Sequence, residues 1–102
     1  MSEVTISKPI HKILTHLTGE ERIDVALPLA TRDLIQLKLK NYSEQIARFE
    51  ERYRMTFDQF KIAWDKDQIP NKRSYEVEKD YWEWEAAVLE RQNLEHLLEE
   101  LQ

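Results

Sequence analysis

The fold class this sequence predicts is mainly α-helical, opened by one short N-terminal strand, and three observations lead there. One glycine and three prolines in 102 residues leave little material for the tight hairpins and phosphate loops that all-β and doubly wound α/β folds need. Apolar residues recur at helical spacing over most of the chain. Hydrophobic residues make up 41% and charged residues 34%, too apolar for a disordered chain and too polar for a membrane protein.

The strand is expected at the start, where Val4 and Ile6 alternate with Glu3, Thr5 and Ser7. A lone strand cannot satisfy its backbone, so it is expected to pair with a second chain. Ser7 then reads as a helix cap with Pro9 in the first turn, followed by the apolar stripe Ile10, Ile13, Leu14 and Leu17. Gly19, just past Thr18, stands where a helix end takes a left-handed residue.

Asp24 is the expected cap of the next helix, which runs unbroken to Tyr53 with Pro28 in or near its first turns. It carries two stripes. One is Leu27, Ala30, Leu34 and Leu37. The other, Ile35, Leu39, Tyr42, Ile46, Phe49 and Tyr53, steps by fours and threes as a heptad seam does. Thr56 with Gln59 makes a capping box for a short helix from Phe57 to about Lys66, with Phe57, Phe60 and Trp64 on one face. Asp67 to Arg73, around Pro70, reads as a loop.

Ser74 caps the last helix, with Glu76 and Glu78 in a first turn that favours negative charge. Val77, Tyr81, Trp84 and Val88 form one seam of it. Tyr75, Trp82 and Leu89 form a second, about 100° or more round the axis. Leu94, Leu97, Leu98 and Leu101 carry apolar character to the end.

Chemistry is harder to find. His11 and His16 are five apart and point to different sides of their helix, and His96 is distant, so no metal ligand set is expected. The carboxylates sit on faces that solvent normally takes, without a nucleophile, glycine-rich loop or zinc spacing, so neither an enzyme nor a cofactor is expected. Uncharged runs such as Val25 to Thr31 are far short of a bilayer span. Without cysteine, and with Met1-Ser2-Glu3 unlike a signal peptide, the cytoplasm is the expected compartment.

The net charge of −5 is unevenly spread. Residues 1–43 hold six basic and five acidic side chains, residues 44–102 nine basic and fifteen acidic. That asymmetry suggests two binding regions, 1–43 and 44–102. In the second, Trp82 belongs with Tyr75 and Leu89 rather than with Trp84. If one seam fills the core, the other is an aromatic surface suited to a partner, because Trp and Tyr bury much area at little entropic cost. Tyr75, Trp82 and Leu89, flanked by Glu78 and Glu85, are therefore the candidate partner-binding residues.

The order of strand, short helix, glycine-bearing turn and longer helix over residues 3–42 resembles a ribbon-helix-helix domain. Val4 and Ile6 match its inward strand positions, Ile10, Ile13, Leu14 and Leu17 its first helix, and Leu27, Ala30, Leu34 and Leu37 its second. The resemblance implies a homodimer whose paired strands enter the DNA major groove. It makes Thr5 and Ser7 DNA-binding candidates, to which charge near the strand and the turn adds Lys8, Lys12 and Arg22, with Glu3 and Asp24 departing from the pattern because both repel phosphate.

With an acidic, aromatic tail behind it, such a front end looks like a type II antitoxin. The expected function is then neutralisation of a protein toxin by the C-terminal helices, with operator DNA as a further partner. The alternative expectation is a helical structural or adaptor dimer that binds no DNA.

Overall fold

The computed structural model describes residues 5–101. Four helices make it: α1 (Lys8–Thr18), α2 (Ile23–Tyr53), α3 (Phe57–Asp65) and α4 (Tyr75–Glu100). The mainly α expectation holds, but the strand does not, because the described residues contain no strand at all. Glu3 and Val4 lie outside the described residues. Thr5, Ile6 and Ser7 form a short coil that leads directly into α1. Ser7 is extended, with φ −65° and ψ 155°, yet that extension serves as a helix entry. Its carbonyl accepts the His11 N–H at 3.0 Å, the first bond of α1, and not a ladder bond. Two alternating apolar residues are too few to hold a strand when a helix cap competes for the same backbone. The ribbon pairing of two chains falls with the strand.

Helix α1 ends where Gly19 adopts φ 75°, its N–H returning to the Thr15 carbonyl at 2.8 Å. Helix α2 begins earlier than Asp24. Arg22 holds the cap position, and its carbonyl takes the N–H groups of Val25 at 3.1 Å and Ala26 at 2.8 Å. Asp24 instead sits in the first turn, where its charge suits the helix dipole. Pro28 lies inside α2, and the bond it cannot make would have gone to Asp24 in that same opening turn, where a lost bond disturbs least. From there the helix is continuous through Tyr53, crossing the expected division between residues 43 and 44.

Arg54 turns the chain at φ 57° into α3, whose capping box is formed in full. Gln59 N–H donates to the Thr56 hydroxyl at 3.2 Å, and Thr56 N–H donates to the Gln59 side-chain oxygen at 2.9 Å. The loop before α4 bends at Asp67 and Asn71, both at positive φ. The Lys72 ammonium pins it by donating to the Trp64 carbonyl and to Asp67, each at 2.7 Å. Ile69 inserts into the core. Ser74 caps α4 by accepting the Val77 N–H at 3.3 Å.

Helices α2 and α4 run antiparallel along a molecule of 56 × 24 × 20 Å. Tyr53 meets Asp80 at one end, and Arg32 donates to the Leu101 carbonyl at the other. The two heptad seams face each other between them. The core gathers Ile46, Phe49, Phe60, Ala63, Ile69, Trp84 and Ala87. Trp84 is 0% exposed, its ring 5.5 Å from Phe49, 5.8 Å from Tyr53, 5.4 Å from Phe57 and 5.0 Å from Phe60. Tyr81 lies against Trp64 with ring centres 4.7 Å apart. Helix α1 packs on α2, where Ala26 is fully buried.

Candidate functional site: the outer face of the last helix

Helix α4 has a job for each side. At 100° per residue, Tyr75, Trp82 and Leu89 lie about 140–180° round the axis from Trp84. With Trp84 at the centre of the α2–α3–α4 core, those three point away from the protein. Tyr75 is 73% exposed, Trp82 61% and Leu89 59%. They repeat every seven residues, so they form one line along α4 roughly 21 Å long at 1.5 Å per residue. Two tryptophans two residues apart thus have opposite fates: one is the centre of the core, the other is the centre of an open stripe.

Glu78 and Glu85 flank the stripe, each half-buried. Among the described residues neither has a cation partner, whereas Glu83 pairs with Lys79 at 3.6 Å and Glu95 with Arg91 at 3.8 Å. The Glu85 charge reaches Tyr81, whose phenol is held above its usual range first by burial and then by that carboxylate. The stripe is therefore apolar and aromatic at its centre, with uncompensated negative charge beside it. Such a surface gains from covering by an apolar ridge with basic neighbours.

A second group was not singled out by the sequence. One Asp80 oxygen accepts from the Tyr53 hydroxyl at 2.5 Å and from Arg52 at 2.7 Å. The Tyr53 phenol is pushed up to about 12, chiefly by burial and then by its bond to Asp80. A phenol held that firmly protonated is a donor and a poor base. Arg52 also lies over the Phe49 ring at 5.6 Å. The group clasps the end of the α2–α4 pair beside open grooves that Tyr75 and Lys79 also line. It ties two helices together, and the groove beside it is lined by no serine, cysteine or histidine. No sequence pattern marks it, because Tyr53 and Asp80 meet only through the helix register.

The DNA-binding candidates are separated from the frame that the resemblance implies for them. Thr5 and Ser7 are exposed in the coil before α1, and Lys8 is the first residue of α1. Without a ribbon there is no element to carry Thr5 and Ser7 into a groove. Arg22 is engaged in a two-pronged contact with Asp24, at 2.6 and 3.2 Å. Among the described residues no group of three or more His, Asp or Glu side chains is placed to hold a metal ion, and no helix is long and apolar enough to cross a membrane.

The first helix departs from expectation in one respect. Ile10, Ile13 and Leu17, matched by the resemblance to a first-helix core, stand out from α1, with Ile13 56% and Leu17 68% exposed. Leu34 and Leu37 of α2 are also exposed. Helical spacing finds an apolar stripe but does not say whether the chain itself covers it. No protein-family model, no curated protein and no solved structure matches the chain.

Proposed function

We propose that this protein acts by binding another protein along the outer face of α4, as the antitoxin of a type II toxin–antitoxin pair. The observation that carries the reading is the exposed line Tyr75, Trp82 and Leu89 on the face opposite the buried seam. Large aromatic side chains at a surface are unfavourable in water and become the anchors of an interface once covered. The free carboxylates of Glu78 and Glu85 fit a basic partner, as a nucleic-acid-cleaving toxin is, since its substrate is polyanionic. In this reading Tyr75, Trp82 and Leu89 supply the buried area, and the two glutamates set orientation and speed of association. Reading of operator DNA does not belong to the proposal, because the ribbon it required is gone.

The test is co-expression with the product of the neighbouring gene. That product should arrest growth alone, co-purify with this chain and be neutralised by it. Trp82→Ala and Glu85→Lys should each abolish rescue while leaving the helical fold intact. Rescue that survives both substitutions refutes the α4 site. A neighbour that neither arrests growth nor binds refutes the antitoxin reading and leaves the adaptor reading, which the exposed apolar residues of α1 favour.

A further inference from the structure

Among the described residues, the exposed apolar faces of α1 and α4 carry opposite charge. The outer side of α1 presents an open groove lined by Pro9, Lys12, Ile13, His16 and Leu17. Helix α1 contains no acidic residue and carries Lys8 and Lys12, both exposed. The outer side of α4 presents Tyr75, Trp82 and Leu89 beside Glu78 and Glu85, which lack cation partners among the described residues. Ile10, Ile13 and Leu17 step by three and four, the spacing that packs on a partner helix along a seam, and Trp82 and Leu89 step by seven. Helix α1 is about 16 Å long and the α4 stripe about 21 Å, so one fits along the other.

The two surfaces cannot meet within one chain. Helix α1 packs on the opening turns of α2, at the end of the molecule where α4 finishes, while Tyr75 begins α4 at the opposite end of the 56 Å axis. Pairing like with like is unfavourable for both, since two α4 stripes would bring glutamates together and two α1 surfaces would bring lysines together. We infer that two copies of this chain associate antiparallel about a two-fold axis, the basic apolar face of α1 in each lying along the Tyr75–Trp82–Leu89 stripe of α4 in the other.

A single α1–α4 contact covers roughly 300–400 Å² on each side, which in total falls short of the roughly 1,000 Å², counted over both partners, that a stable interface needs. Two reciprocal contacts reach that size, and reciprocity closes the assembly as a dimer instead of letting it grow. This dimer uses no strand and does not depend on the toxin reading, only on the exposure of the two faces. It also occupies the proposed partner site, so partner and second copy compete for α4.

Sedimentation velocity of the whole chain at micromolar concentration tests this, with no other component present. A dimer is expected, weakening as salt rises because the charges are exposed. Replacing Lys8 and Lys12 together by Glu should weaken it about ten-fold, since each dimer holds the charge contact twice. Replacing Glu78 and Glu85 together by Lys should do the same, and the chain carrying all four reversals should dimerise again. Ile13→Asp should leave a monomer of unchanged circular dichroism. A wild-type monomer, growth beyond the dimer, or a dimer indifferent to the α1 and α4 reversals overturns the inference. So does failure of the four-fold variant to recover. Loss of toxin rescue with the dimer intact would strike only the function proposed above.

Discussion

Trp82 and Trp84 offer a matched experiment, because the same truncation two residues apart should have effects that differ by most of the protein's stability. Trp84 is wholly buried and within 6 Å of four aromatic rings. Truncating it to alanine removes the largest side chain of the core and leaves a cavity whose walls, fixed on three helices, cannot close. Such changes cost about 3–5 kcal/mol. A chain of this size has a total of about 5–15 kcal/mol, so Trp84→Ala should be close to unfolding at room temperature. Trp82→Ala removes a ring already 61% exposed and, measured at a concentration low enough to keep the chain monomeric, should change stability by no more than about 0.5 kcal/mol. Urea denaturation followed by far-ultraviolet circular dichroism reads both without relying on tryptophan fluorescence, which the substitutions themselves alter. Equal destabilisation by the two variants would refute the assignment of opposite faces, and with it the proposed binding stripe.

Tyr53 gives a pH dependence. Its folded phenol titrates at about 12 against an unfolded value near 10, so its contribution is complete below pH 10 and is lost as pH rises toward 12. Urea midpoints of wild type should fall across that window more than those of Tyr53→Phe, and parallel curves would contradict the Asp80 bond. Thr56→Ala removes half of the capping box and should cost about 1 kcal/mol in the same assay, with no effect placing the start of α3 elsewhere. Gly19→Ala meets no atom within 4 Å, so its cost is the backbone strain at φ 75° alone, about 1 kcal/mol. A neutral result there would mean that the turn adopts another conformation.

The helices were legible because each has local punctuation. Pro9 and Gly19 bracket α1, Thr56 and Gln59 open α3, and Ser74 opens α4, all within four residues of the backbone they serve. Local rules erred where two local solutions compete. At Thr5–Ser7 the alternation suggested a strand, but the carbonyl of Ser7 is committed to His11. At Asp24 a good cap residue yielded to Arg22, since the helix begins two positions earlier and Asp24 gains the dipole either way. The split between Trp82 and Trp84 was readable as two seams, because helical geometry separates them whatever packs nearby. The choice of the Tyr81–Trp84 seam as the inward one agrees with the burial of Trp84 and the exposure of Trp82, although both seams are aromatic and it is the docking of α2 and α3 that fixes it. The exposure of Ile10, Ile13 and Leu17 and the Tyr53–Asp80–Arg52 clasp were invisible for a related reason. Each depends on where one helix lies along another, and nothing in a single helix records that.

The aromatic core is gathered toward one end of the molecule, between Tyr42 and Val88, while among the described residues the end bearing α1 buries only Ala26 and Leu94. Stability is therefore unevenly distributed along the axis. Amide protons of α3 and of the facing stretches of α2 and α4 should exchange with solvent only when the whole chain opens. Those of α1 should exchange through a smaller local opening that leaves the aromatic end folded. The α1 end is then the natural entry point for a protease, and anything that covers α1 should lengthen the life of the chain by closing it.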